Sequence, residues 1–225
     1  MAVDTRLVVW PTSRAAALGV SAAASLAYLL FPRGAPGSVE IVLKGLSVTV
    51  LAFIAIQADR RLLSLALLLS STGDVLLGCG PRFFLSGLAA FLCSHLVYIV
   101  LFVRQRASLA APPGRILFPV FLLIYGLAFG ATLAPSLGAL RVPVFGYISA
   151  IVAMVATAAR AGYRSRWVLA GAVLFLVSDS LLGVNRFQTQ IPLGGVLVWT
   201  TYYAGQCAIT LGVLAEPAAG VAAAR

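Results

Sequence analysis

Eight runs of mostly apolar residues, each about long enough to cross the hydrocarbon core of a bilayer, dominate this sequence. A spanning helix needs roughly 20 such residues. Inside lipid the backbone polar groups must be satisfied within the segment itself, which makes each run a helix. The runs fall at about 14–31, 39–57, 61–79, 83–103, 115–134, 142–160, 166–185 and 193–215. Short connections separate them and carry the breakers: Pro32 and Pro36, Pro81, Pro112 and Pro113, Pro135, and Pro192. The expected fold class is all-α, a polytopic membrane bundle of eight transmembrane helices forming one domain over residues 1–225. Composition agrees: only 10% of residues are charged and 61% are hydrophobic. A soluble domain carries about 25% charged residues, so lipid must cover much of this surface.

Arg6 and Arg14 precede the first run and Phe31-Pro32-Arg33 follows it, with no convincing small-residue cleavage site. That stretch therefore reads as a span and not as a cleaved signal. The formal net charge of +10 does not indicate a nucleic-acid partner. The arginines sit at the ends of apolar runs, with no basic helix or basic-aromatic surface. Their placement reads as topology. One side holds Arg6, Arg14, Arg60, Arg61, Arg104, Arg106, Arg115, Arg160, Arg164, Arg166 and Arg225. The other holds Arg33, Arg82, Arg141 and Arg186. Eleven against four places both termini in the cytoplasm, with the chain in a bacterial inner membrane, or the endoplasmic reticulum of a eukaryote. Cys79, Cys93 and Cys207 are far apart, form no CxxC pair, and read as small buried hydrophobes.

Runs three and seven share a pattern, D-x-L-L-G, at Asp74–Gly78 and Asp179–Gly183. Each is followed by a run with an aromatic or His cluster: His95 and Tyr98, then Tyr202 and Tyr203. This reads as a 4+4 parallel internal repeat about an axis along the membrane normal, with the two aspartates facing each other.

Ionisable groups inside spans cost roughly 2.5–3.5 kcal/mol each at the membrane centre. Four qualify: Lys44, Asp74, His95 and Asp179. Lys44 is the only lysine and His95 the only histidine. Asp4, Glu40, Asp59 and Glu216 lie at ends or in connections and read as solvated. Helical spacing puts Ser70 and Ser71 on the face of Asp74, Tyr98 on that of His95, and Gln206 on that of Tyr202; Ser178 and Asn185 lie seven apart around Asp179. Such stripes face the bundle interior. Lys44, Asp74 and Asp179 each lie five or six residues inside the non-cytoplasmic end of a run, roughly 8–9 Å at about 1.5 Å per residue. Three charges at one depth point to one site. Alternatives stay open: Lys44 snorkels to the interface, or His95 serves as a helix-helix hydrogen-bond partner.

At these residues the sequence resembles the YhhN family, the lysoplasmalogenase-like membrane proteins. The matching stretches are G-D-V-L-L at 73–77, G-L-A-A-F-L-C-S-H-L-V-Y at 87–98, L-F-L-V-S-D-S-L-L-G-V-N-R-F at 174–187 and T-T-Y-Y-A-G-Q at 200–206. Lys44 also fits, although Gly45 stands where members commonly have proline. The resemblance implies hydrolysis of the vinyl-ether bond of a lysophospholipid, the lysoplasmalogen. The products would be a fatty aldehyde and glycerophosphoethanolamine or glycerophosphocholine. The family's polar positions carry over to Lys44, Asp74, His95, Tyr98, Asp179, Asn185, Tyr202 and Gln206.

The residues suit that chemistry. An enol ether is cleaved by protonation of its β-carbon, then attack of water on the oxocarbenium ion. Two carboxyls in an apolar site can divide the labour, one as acid and one as base, so Asp74 and Asp179 are the expected catalytic pair. Supporting or substrate-binding roles fall to Lys44, His95, Tyr98, Ser178, Asn185, Arg186, Tyr202 and Gln206, with Lys44 and Arg186 placed for a lipid phosphate. No cofactor is expected. The mechanistic rival is a metal held by His95, Asp74 and Asp179, in a hydrolase of another lipid. The rival from another class is a transporter of a lipid or small amphiphile.

Overall fold

Sequence and physics lead to helices, and helices are what the chain forms. The structure, a computed structural model, describes residues 11–30, 37–105 and 117–216. Arg6, Arg33, Arg106, Arg115 and Arg225 of the basic count, Asp4, and the breakers Pro32, Pro36, Pro112 and Pro113 lie outside these. Eight α-helices follow in order: α1 Thr12–Leu30, α2 Gly37–Gln57, α3 Arg61–Gly78, α4 Phe84–Gln105, α5 Leu117–Leu133, α6 Arg141–Arg160, α7 Trp167–Phe187 and α8 Gly194–Leu214. Each expected run becomes one helix, with ends displaced by no more than two residues. Pro119 and Pro143 sit in first turns of α5 and α6, where the missing N–H breaks no helical bond. The α3–α4 connection turns at Gly80, whose φ of 107° only glycine adopts readily. Pro81 then opens a short 3-10 turn, Pro81–Phe83.

Seven of the helices are long and apolar enough to cross a membrane. α8 is as long, but Thr200, Thr201, Tyr202, Tyr203 and Gln206 dilute its apolar character. The outward faces are apolar: Leu30, Leu117, Val142 and Trp167 are all strongly exposed. The interior holds polar groups, among them Ser70, Asp74, Ser94, His95 and Gln206. An apolar exterior around a polar-seamed interior is the arrangement lipid favours. The chain is an integral, multi-pass, all-α membrane protein.

Neighbours in sequence pack together in α1–α2, α2–α3, α3–α4, α5–α6, α6–α7 and α7–α8, while α4 packs on α6 and α2 touches α8. The α7–α8 crossing brings the two backbones close together. A Cβ on Gly171 would lie 2.6 Å from the Gly205 carbonyl oxygen, and one on Gly205 would lie 2.8 Å from that of Gly171. α3 and α4 are joined through serines: the Ser70 and Ser94 hydroxyls are 2.7 Å apart, and Ser94 donates to the Ala66 carbonyl at 2.8 Å.

Two expectations need correction. Glu216 is not solvated: it is buried, and its Oε1 accepts the backbone N–H groups of Arg164 (2.7 Å) and Ser165 (3.3 Å), while Arg60 donates to its carbonyl. Its carboxylate satisfies the unpaired donors of the α6–α7 connection and ties the end of α8 to it. The cysteines are not buried either. Cys79 and Cys93 are exposed and Cys207 is intermediate. In a bilayer the outside of a bundle is as apolar as the inside, so a small apolar side chain has no reason to choose the core.

Candidate active site

The polar residues of α2, α3, α7 and α8 converge on one cavity of about 300 Å³. Lys44, Asp74, Ser178, Asp179, Asn185, Arg186 and Tyr202 line it, together with Tyr28, Phe91 and Trp199. Gly80, Pro81 and Gly195 also line it, so it lies at the membrane end where the α3–α4 and α7–α8 connections turn. The two D-x-L-L-G stretches thus bring both aspartates to the same cavity. Asp74 is 5% exposed, and the Asp179 side chain 11%. Their charges repel when both are ionised, and the Lys44 ammonium is near enough to attract Asp74.

Each carboxyl is held by a phenol. Tyr202 on α8 donates to Asp74 Oδ2 at 2.7 Å, and Tyr147 on α6 donates to Asp179 Oδ2 at 2.6 Å. His95 on α4 stands beside the second pair, its Nε2 3.7 Å from Asp179 Oδ2. Its ring is fully buried between Tyr147 and Phe175, with centroids 5.1 and 4.9 Å away. Neither of its ring nitrogens has a hydrogen-bond partner among the described residues. Among the described residues no three His, Cys, Asp or Glu side chains converge closely enough to share a metal ion.

Tyr98 and Gln206 do not line the cavity; both are fully buried in the bundle interior. Tyr98 donates to Gln206 Oε1 at 2.6 Å, and Gln206 Nε2 donates to the Ser70 hydroxyl at 3.1 Å. Ser178 donates to the Val198 carbonyl at 2.9 Å, binding α7 to α8. Asn185 faces the cavity but uses Oδ1 to accept the Ile191 N–H at 2.9 Å, which shapes the α7–α8 connection. Arg186 spreads its guanidinium over the Phe84 ring, 5.0 Å from the centroid.

A second, smaller cavity of about 40 Å³ adjoins the first. Its wall is apolar, including Leu88, Phe129, Leu133, Val144 and Ile148, except for Tyr147, Asp179 and Arg186. Leu77, Phe84, Phe91, Asp179, Leu182 and Arg186 belong to both cavities. Asp179 therefore stands where a chamber carrying Lys44, Asp74 and Arg186 meets an apolar one.

The model of the YhhN family matches residues 39–213, most of the chain. The chain belongs to the YhhN family. A Mycobacterium tuberculosis (strain CDC 1551 / Oshkosh) protein named lysoplasmalogenase is 38% identical over 162 residues, which cover 70% of this chain and 62% of that protein. The human protein lysoplasmalogenase TMEM86B is 35% identical over 161 residues, covering 70% of this chain and 65% of the relative. Human lysoplasmalogenase TMEM86A is 26% identical over 174 residues, 73% of this chain and 70% of the relative. The chain spans a little under two thirds of the length of the first two. No solved structure matches the chain. In this YhhN protein, α1 lies outside the matched segment, yet its Tyr28 lines the cavity.

Sequence reasoning missed Tyr147, Tyr28 and Trp199. An aromatic residue in an apolar run carries no signal that separates a site wall from ordinary packing. Tyr147 had one weak cue: a phenol oxygen inside a span needs a partner.

Proposed function

We propose that this protein hydrolyses the vinyl-ether bond of a lysoplasmalogen, releasing a fatty aldehyde and a glycerophospho head group. The observation that carries the reading is the position of Asp179, in one cavity with Asp74 and Lys44, at the junction of that charged cavity and an apolar one. A vinyl ether joins a polar glycerol head to a hydrocarbon chain, so the head fits the first cavity and the chain points into the second. The rest of the chain continues between helices into lipid. The names of the relatives support the same substrate class.

In this reading one of the two carboxyls is protonated and the other ionised. The acid gives its proton to the β-carbon and the carboxylate faces the oxocarbenium ion. Water adds to that cation and loses a proton to the carboxylate. The hemiacetal then collapses to aldehyde and alcohol, its hydroxyl proton passing to the leaving oxygen; one water is consumed, and the proton now on the second carboxyl returns to the first to restore the pair. Tyr202 and Tyr147 orient the pair. His95, close to Asp179 with two free nitrogens, exchanges protons with it; such contacts are often long without substrate and tighten when it binds. Lys44 and Arg186 take the phosphate, while Tyr98, Ser178, Asn185 and Gln206 hold the walls.

The same reading includes an eighth crossing by α8, one transmembrane domain, and two four-helix halves. Cross-contacts support the halves: α4 packs on α6 as α8 touches α2, and each aspartate meets a ring from the helix after its counterpart, Tyr202 for Asp74 and His95 for Asp179. With Arg60, Arg61, Arg160 and Arg164 at one end, that end is cytoplasmic and the cavity receives lipid from the opposite leaflet. The test is aldehyde release from lysoplasmalogen by purified protein in detergent. A hydrolase turns over without a sealed membrane; a transporter gives no aldehyde.

A further inference from the structure

Lys44, half-buried on α2, is held in an unusual way for a membrane cation. Its ammonium makes no ion pair within 4 Å among the described residues. Instead it lies over two aromatic faces, 5.1 Å from the centroid of Tyr28 and 5.6 Å from that of Trp199. Both rings line the polar cavity beside it. They are themselves fixed: the ring centroids are 4.6 Å apart, and the Trp199 indole N–H donates to the Ser25 hydroxyl at 2.9 Å. Ser21, one turn earlier on α1, donates to the Ser47 carbonyl at 2.6 Å and meets the Tyr203 hydroxyl at 2.8 Å. Through these bonds α1 is docked on α2 and α8.

Aromatic faces attract a cation but do not neutralise it. An ammonium so held keeps its N–H donors and its full charge for a further partner. Lys44 would otherwise have two other fates. It could reach for the interface, or it could close on Asp74 and spend its charge there. With the ammonium over the two rings it forms no ion pair to Asp74 within 4 Å, and Lys44 lines the cavity.

The geometry points to a lipid-phosphate subsite at Lys44, with Tyr28 and Trp199 as positioning residues that aim its ammonium. α1, outside the segment matched by the family model, is thereby part of the site. The inference rests on the proposed function only for the single-chain form of the lipid, and its test is a binding measurement, so the two fail separately.

The probes are lysophosphatidylglycerol, an ester lipid with a phosphodiester and no vinyl ether or head-group cation, and the monoacylglycerol of the same chain. Binding to the full-length protein is measured in detergent. Wild type binds the phospholipid more tightly. Tyr28→Leu reduces that preference, read as the ratio of the two affinities, by roughly 3- to 30-fold, the size of a cation–π contact. Tyr28→Phe, which keeps the ring, retains the preference. Lys44→Met reduces it at least as far and serves as the second variant if Tyr28→Leu does not fold. An undiminished preference in Tyr28→Leu, or in Lys44→Met, overturns the inference. Inorganic phosphate in excess leaves the preference intact; its removal by free phosphate would assign the subsite to that anion and overturn the lipid assignment.

Discussion

The Tyr202 hydroxyl, on α8, donates to Oδ2 of Asp74, on α3, at 2.7 Å. The two residues are 128 positions apart in the chain, and the bond joins the third helix to the last. Tyr147 treats Asp179 in the same way at 2.6 Å. A hydrogen bond to a charged group contributes about 1.5–3 kcal/mol. Tyr202→Phe and Tyr147→Phe are therefore each expected to lower kcat/KM for lysoplasmalogen by about 10- to 100-fold, with the fold retained. Steady-state kinetics on the detergent-purified variants check this, and wild-type kinetics in both would remove the phenols from the mechanism.

His95 gives a prediction of opposite sign for stability and activity. Its two ring nitrogens have no partner among the described residues, so His95→Phe removes polar atoms and keeps the packing against Tyr147 and Phe175. Thermal stability in detergent should hold or rise. Turnover should fall by about 100-fold or more, the usual contribution of a proton-transferring group. A variant that melts early but turns over normally per folded molecule would make His95 a structural residue.

Much of the fold was legible in advance because lipid simplifies the problem. A run of about 20 apolar residues has few options, and α1 to α8 lie where the runs lie. The cost of charge in a membrane singled out Lys44, Asp74 and Asp179, and the structure places all three on one cavity. The same simplicity hid other things. Cys93 faces outward because inside and outside are equally apolar. Glu216 was misread because a connection hides its local donors: only the folded α6–α7 turn brings the Arg164 and Ser165 N–H groups to it. Tyr147 and Trp199 look like packing residues until their polar partners are known.

Helix spacing at the site can be probed through glycine. A methyl group on Gly171 would meet backbone atoms of α8, the Gly205 oxygen at 2.6 Å and the Ile209 nitrogen at 2.7 Å. Neither can move aside without shifting the helix. Gly171→Ala should cost about 1–3 kcal/mol, as overpacking does, and should reduce turnover by shifting α7, which carries Asp179, relative to Asp74 and its α8 partner Tyr202. Gly146→Ala is the control: nothing lies within 4 Å of its Cβ position, and alanine favours a helix. A differential scan in detergent should show a lowered transition for the first and an unchanged or raised one for the second.

The central claim is that Asp74 and Asp179 together cleave the vinyl ether. Aldehyde release from lysoplasmalogen by the purified wild-type protein, Asp74→Asn and Asp179→Asn tests it most directly. The account predicts aldehyde from wild type and a loss of about 100-fold or more in each folded variant. Near wild-type turnover in either variant would contradict the carboxyl pair, and no aldehyde from folded wild type would contradict the hydrolase.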